Sequence, residues 1–98
     1  MLPIGVHIKE NSWRARIATK VLKSNSVAIV FGKTIHLWGV DREGFLQSAS
    51  WVKHELKHVQ QYQQNGYFGF LAKYLLESIR HGYYNNRFEV EAREAETH

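Results

Sequence analysis

The stretch His54-Glu55-Leu56-Lys57-His58 sets two histidines four residues apart, with a glutamate directly after the first. In a helix, residues four apart stand one turn apart on the same face, so both imidazoles can point at one ion. Glu55 is turned by about 100° from His54, near enough to reach a water on that ion without binding the ion itself. Two neutral nitrogen donors, one open coordination position and one base make a hydrolytic centre. The metal lowers the pKa of its water to roughly 7, and the glutamate takes the proton as the water attacks a carbonyl.

The surrounding pattern decides whether these residues form a site or an ordinary wet face. The spacing predicts a helix over residues 48–65 that stops at Gly66. At about 100° per residue, Lys53, Lys57, Gln60 and Gln64 gather on one side of it, and Trp51, Val52, Leu56, Val59 and Tyr62 on the other. His54 and His58 fall at the edge of the apolar stripe, and Glu55 falls inside it. A carboxylate among such neighbours is costly unless something compensates it. A metal-bound water would do so, as would a salt bridge to an arginine. Gln61 lies near the histidines, either as a hydrogen-bond partner for one of them or as an exposed side chain.

A tetrahedral catalytic zinc needs a third protein ligand. No further histidine follows at the HExxHxxGxxH spacing: Gln61 stands three residues after His58, where that pattern has glycine, and Gly66 stands eight after it. The ligand is then expected from an acid on a later helix, and the tail NNRFEVEAREAETH offers Glu89, Glu91, Glu94 and Glu96.

The elements that must position these groups follow from capping and periodicity. Asn11 or Ser12 can cap a first helix through residue 23, with Trp13, Ile17 and Val21 as one apolar stripe. Val27–Phe31 and Thr34–Trp38, separated by Gly32-Lys33, read as a β-hairpin. Residues 41–44 read as a loop. After the motif helix, residues 67–81 form a third helix with Phe70, Leu71, Tyr74, Leu75 and Ile79 at core spacing, ending at Gly82. Residues 83–86 lead into a last helix from Arg87. The fold class expected is α+β, a predominantly helical single domain over residues 1–98 with about four helices and a small hairpin, to which residues 4–8 can add a strand.

With these elements in order, the chain resembles the gluzincin branch of zinc metallopeptidases, and within it the small zincin-like domains of bacteria and phages. A strand, HELxHxxQ, a glycine, an aromatic helix and NxFExEA recur there. Here the run reads Thr34–Trp38, HELKHVQQ, Gly66, residues 67–79 and Asn86-Arg87-Phe88-Glu89-Val90-Glu91-Ala92, so that the resemblance covers residues 27–96. It implies Zn2+ as cofactor, His54, His58 and Glu89 as metal ligands, Glu55 as the catalytic base, and a peptide or protein substrate. Glu89 is favoured over Glu91 by spacing too. Small Ala92 stands three residues after Glu89, where the last helix can approach the motif helix, whereas Glu91 would place Glu94 there. One departure is Arg93, at a place where related gluzincins often carry an aspartate that orients a ligand histidine; that support must come from elsewhere. The alternative implied is a catalytically inactive zincin-like structural or interaction module of a larger bacterial or phage assembly.

The remaining candidates have plainer readings. His81, Tyr83 or Tyr84 could stabilise an oxyanion, though His81 also suits a helix C-terminus and the tyrosines suit packing. His36 reads as exposed on the polar face of its strand, Glu94 and Glu96 as a solvated tail, and His7 and His98 as carrying no role. In an enzyme, the strand Thr34–Trp38 would hold an extended peptide by backbone pairing.

Composition bounds the rest. A hydrophobic fraction of 44% with three Trp, five Tyr and five Phe supports a packed core. The absence of cysteine excludes disulfides and thiolate zinc sites. The longest apolar runs, of about five residues, fall far short of a bilayer span, so no membrane partner is expected. No signal-peptide pattern opens the chain, and a cytoplasmic location is expected. The net charge of +4 is spread along the sequence without aromatic–basic interleaving, and nucleic acid is not expected as a partner. Oligomeric state is left open.

Overall fold

The computed structural model describes residues 2–97; His98 lies outside the described residues. The chain runs β1 (His7–Lys9), α1 (Trp13–Leu22), β2 (Val27–Phe31), β3 (Thr34–Trp38), α2 (Arg42–Leu46), α3 (Ala49–Asn65), α4 (Tyr67–Asn85) and α5 (Arg87–Ala95). This is an α+β domain, mostly helical, with one three-stranded sheet. The hairpin forms as expected, Val27 facing Trp38 and Phe31 facing Thr34 in the antiparallel register. The added strand is β1, parallel to β3 with His7 opposite Thr34. The sheet order is therefore β1-β3-β2, which makes β3 the central strand and β2 an edge.

The core forms where Val30, Ile35 and Leu37 of the sheet meet Phe45, Val59, Tyr62, Phe70 and Phe88 of the helices. Helices α3 and α5 can approach closely because Ala92 is fully buried between larger neighbours. Tyr62 fixes α3 to the sheet by donating its hydroxyl to the Val30 carbonyl at 3.1 Å. Among the described residues, no helix is long and apolar enough to cross a membrane.

Several expectations need correction. There are five helices among the described residues because residues 41–44 do not stay a loop. Asp41 Oδ1 accepts from the Gly44 amide at 2.7 Å, and buried Phe45 anchors the short α2 that follows. His36 is buried, because β3 is central and α1 covers the face taken to be polar; Ser12 Oγ and His36 Nδ1 pair at 2.7 Å. Ser12 stands at the N-cap of α1, yet its side chain makes that bond and does not cap the helix. The stripe of Trp13, Ile17 and Val21 faces outward, since α1 lies on the sheet through Ala15 and Ala18, whose small side chains permit the closest approach. In α4, Phe70 is buried and Leu71 and Tyr74 are half-buried, but Leu75 and Ile79 are exposed. The helix does break at Gly82, whose φ of 80° and ψ of 168° are non-helical, before one further turn to Asn85.

Gly39 is the tightest of the glycines. It has φ +79°, and a Cβ there would meet the Asn25 carbonyl oxygen at 2.1 Å. Gly39→Ala is expected to destabilise the fold by at least about 2 kcal/mol. In a thermal melt this corresponds to a loss of roughly 8 °C or more for a domain of this size. An unchanged melting temperature would show that the loop following β3 can move away from residue 25.

Candidate metal centre

Ser48 caps α3, its hydroxyl accepting from the Trp51 amide, and Gly66 ends the helix. Within it, the face carrying His54, Glu55 and His58 turns toward α5, while Trp51, Val52, Leu56, Val59 and Tyr62 pack into the core. Asn86 orients α5 from its start. Its Oδ1 accepts from the Phe88 amide, and its Nδ2 donates to the Tyr74 carbonyl and the Ser78 hydroxyl. That N-cap sets the rotation at which Glu89 enters the site.

The four expected site residues come together. Glu89 Oε1 lies 3.0 Å from His54 Nε2 and 3.2 Å from His58 Nε2. Each of the three residues offers one donor atom, and these atoms lie within 4.8 Å of one another, close enough for a single ion to engage all three. The other oxygen, Oε2, accepts from the Tyr74 hydroxyl at 2.5 Å, which holds the carboxylate with Oε1 turned inward. Glu55 lies beside this group, only 4% exposed, yet it lines the cleft above it.

The far nitrogens of both imidazoles are also held. His54 Nδ1 is 2.7 Å from Glu96 Oε2, and His58 Nδ1 is 2.8 Å from Gln61 Oε1. Gln61 Nε2 donates to the Phe88 carbonyl and to Glu91 Oε1, so the amide is oriented with its oxygen toward His58. An acceptor thus faces each Nδ1, and each Nδ1 carries the proton, an assignment that follows from the network. Both Nε2 lone pairs then converge on one carboxylate oxygen. Three electron pairs gathered this way repel unless a positive centre sits among them, either added protons or one cation. The donor set of two imidazoles and one carboxylate fits a borderline metal ion such as zinc.

The electrostatics of the cluster agree. Burial lowers the pKa of His54, but Glu89 and Glu96 outweigh it and the pKa is raised. His58 behaves likewise, raised against its burial by Glu89, Glu55 and Gln61. Burial pushes Glu89 upward, while its bonds to His54 and His58 and from Tyr74 hold it far below the usual carboxylate range. Glu55 moves the other way. Burial, opposed by His58 and reinforced by Glu89 and Glu96, raises it to about 8. The Tyr74 phenol is raised well above its ordinary value by burial and the Glu89 charge, and stays a donor.

One of these contacts differs from the expectation. Glu96 is not a solvated tail; it bonds His54 from 42 residues away. Glu91, exposed, touches the site only through Gln61. The support missing at residue 93 comes from Glu96 and Gln61, while Arg93 donates to the Tyr84 carbonyl and stacks on its ring. Tyr74 was missed as a functional residue because its helical spacing reads as core, and only the fold aims its hydroxyl at Glu89.

Above the donor cluster lies a cleft of ≈ 220 Å³ with β2 on one side and Leu71, Tyr74 and Leu75 of α4 on the other. Tyr83 lines it, whereas Tyr84 and His81 do not. A second, shallower pocket with Ser24, Ser26 and Ser48 continues past His54 and Glu55 along β2. The strand available to a bound chain is accordingly β2 and not β3, because β3 already pairs on both sides. No protein-family model, curated protein or solved structure matches the chain.

Proposed function

We propose that the protein is a zinc-dependent peptidase of the gluzincin kind, with His54, His58 and Glu89 holding the metal and Glu55 serving as the base. The observation that carries this reading is the meeting of Glu89 Oε1 with both Nε2 atoms, at 3.0 and 3.2 Å, while both Nδ1 atoms are bonded elsewhere. Zinc bound by this set would supply a Lewis acid that polarises a peptide carbonyl and acidifies water. Glu55, at the foot of the cleft, would accept a proton from water and return it to the leaving amine. The β2 edge would pair with an extended peptide and lay one peptide bond across His54 and Glu55. The Tyr83 hydroxyl, on the cleft wall, would donate to the carbonyl oxygen as charge develops there.

Metal content and cleavage together test this reading. Protein dialysed against zinc is expected to retain about one equivalent, and to hydrolyse an unstructured peptide substrate only in the loaded state. Protein that takes up no zinc, and whose melting temperature ignores chelators, overturns the metal site. Protein that binds zinc, melts lower without it and cleaves nothing is instead the non-catalytic module.

The partners of the two histidines give a further expected result. Glu96→Ala and Gln61→Ala should each weaken zinc binding by about 10- to 100-fold, because an imidazole without its Nδ1 partner loses orientation and basicity. Competition with a chromophoric chelator measures this. Affinities equal to wild type would mean that packing alone orients the rings.

A further inference from the structure

The cleft over the donor cluster is open at one end and closed at the other. Val27 of β2 shares the serine-lined pocket with Trp51, whereas Val30 is bonded by Tyr62. Strand β2 and helix α3 therefore run in the same direction, with His54 and His58 between those two points. Ser24, Ser26, Ser48 and Ser50 lead outward from the first point. At the second, Tyr62 crosses from α3 to the strand, its ring 5.4 Å from that of Tyr67. Tyr67 in turn lies against Gly32 in the hairpin turn, where a Cβ would meet its ring at 3.4 Å.

The backbone of β2 stops at the same place. Phe31 and Thr34 flank a two-residue turn, so Phe31, Ile29 and Val27 exchange their backbone bonds with β3. The polar groups of Ala28 and Val30 then point to the edge. The N–H and C=O of Ala28 and the N–H of Val30 are left for a peptide laid along it. The Val30 carbonyl is not, because it accepts from the Tyr62 hydroxyl at 3.1 Å. Tyr62 stands one turn, about 5.4 Å, beyond His58 and about 12 Å beyond His54 along the helix. An extended residue spans about 3.3 Å, so about two or three residues fit between the histidines and this stop. Direction follows from stability and charge. Antiparallel pairing is the more stable per residue, and a peptide antiparallel to β2 has its amino end toward Tyr62. Among the described residues no Lys or Arg lines the cleft, so nothing there answers a C-terminal carboxylate, which Glu55 and Glu89 would repel. Phe31, Leu71 and Leu75 make the walls apolar.

We infer that Tyr62 is a stop that fits this cleft to the amino end of a peptide, with at most about three residues, apolar by preference, before the bond cut. The inference rests on the peptidase reading and adds the class of substrate to it. The oxygen of water bonds to the carbonyl carbon, the C–N bond breaks, and the leaving amine takes the proton that Glu55 held. The piece released is short because its own amino end lies against Tyr62, while the rest of the chain leaves past the serines.

The test uses peptidyl hydroxamates of a Leu-Ala repeat, with one, two, three and six residues as chosen lengths, titrated into the zinc-loaded full chain. The hydroxamate binds zinc, so the residues before it probe the closed side without any need for hydrolysis. Affinity is expected to rise up to two or three residues and to fall by at least about tenfold at six, the order of one buried hydrogen bond left unmade. Tyr62→Phe keeps the ring and its packing but frees the Val30 carbonyl, and should recover at least about threefold for the longest compound. Wild type given a long unstructured peptide should release short pieces from its amino end, read by mass spectrometry. The inference is overturned by affinity that keeps rising at six residues, or by a length limit that Tyr62→Phe leaves unchanged. Internal cuts, or trimming from the carboxyl end, overturn it alone and keep the peptidase reading. A chain that holds no zinc, or holds it and cuts nothing, overturns the peptidase reading and the trimming together.

Discussion

Glu89→Ala is expected to weaken zinc binding by more than about 100-fold, beyond the range that loss of a ligand's supporting residue produces. Glu91→Ala should change it by only a few-fold. The two residues are neighbours on α5 and both are acidic, so composition does not distinguish them. Their surroundings do. Glu89 is buried, its Oε1 faces both histidine Nε2 atoms, and Tyr74 bonds its second oxygen. Glu91 is exposed and reaches only Gln61, which in turn holds His58. Its charge acts on the site through solvent, where screening leaves little. Because Glu89 also bonds His54, His58 and Tyr74, Glu89→Gln should be measured beside it, as a variant of nearly the same size that lacks the charge. Comparison at equal folding, by circular dichroism, separates ligand loss from unfolding. If Glu91→Ala abolishes binding while Glu89→Ala keeps it, the register assigned to α5 is wrong by one pair of residues, and the histidine pair would still stand.

Glu55→Gln is expected to leave zinc affinity nearly unchanged and to lower hydrolysis by about 10²- to 10⁴-fold, the usual contribution of a positioned base. Glu55 is not one of the atoms that meet at Glu89 Oε1, so its removal takes away no ligand. The substitution should also spare the fold. Burial disfavours the ionised form of this carboxyl, as its rise to about 8 indicates. A neutral amide of the same shape carries no such penalty. Zinc affinity by chelator competition and cleavage by single-turnover assay make the comparison. Activity that survives the change would remove Glu55 from the role of base; zinc affinity lost along with activity would make it a ligand.

Much of the site was legible because its first half is local. His54 and His58 share a face through helical period alone, and the apolar ring of Trp51, Val52, Leu56, Val59 and Tyr62 fixes which way that face turns. Ser48, Gly66 and Asn86 mark helix ends by their own chemistry, and the structure uses all three as caps. The Asp41 cap was equally present in sequence; it went unread because the helix after it is only five residues long. Glu89 could be chosen by the Ala92 spacing, since a helix that must pack closely needs a small residue at the crossing.

What periodicity could not supply was the other side of each element. A stripe at Trp13, Ile17 and Val21 says that the helix has two faces, but not which of them meets the sheet; Ala15 and Ala18 took the inner position because small side chains permit close packing. His36 looked exposed because alternation within a hairpin is silent about β1 and α1, which close over the strand. Glu96, Gln61 and Tyr74 joined the site through contacts 42, 3 and 15 residues from their partners. The short-range contact was one of two readings open for Gln61, and the two long-range ones were not foreseen. By itself the sequence determined most of the elements, several of their ends and the donor pair on one helix, because these depend on backbone period and capping within a few residues. The tertiary structure alone decided that Glu96 and Tyr74 join the cluster and which strand edge lines the cleft, because those depend on how buried side-chain volumes from distant segments fill one core.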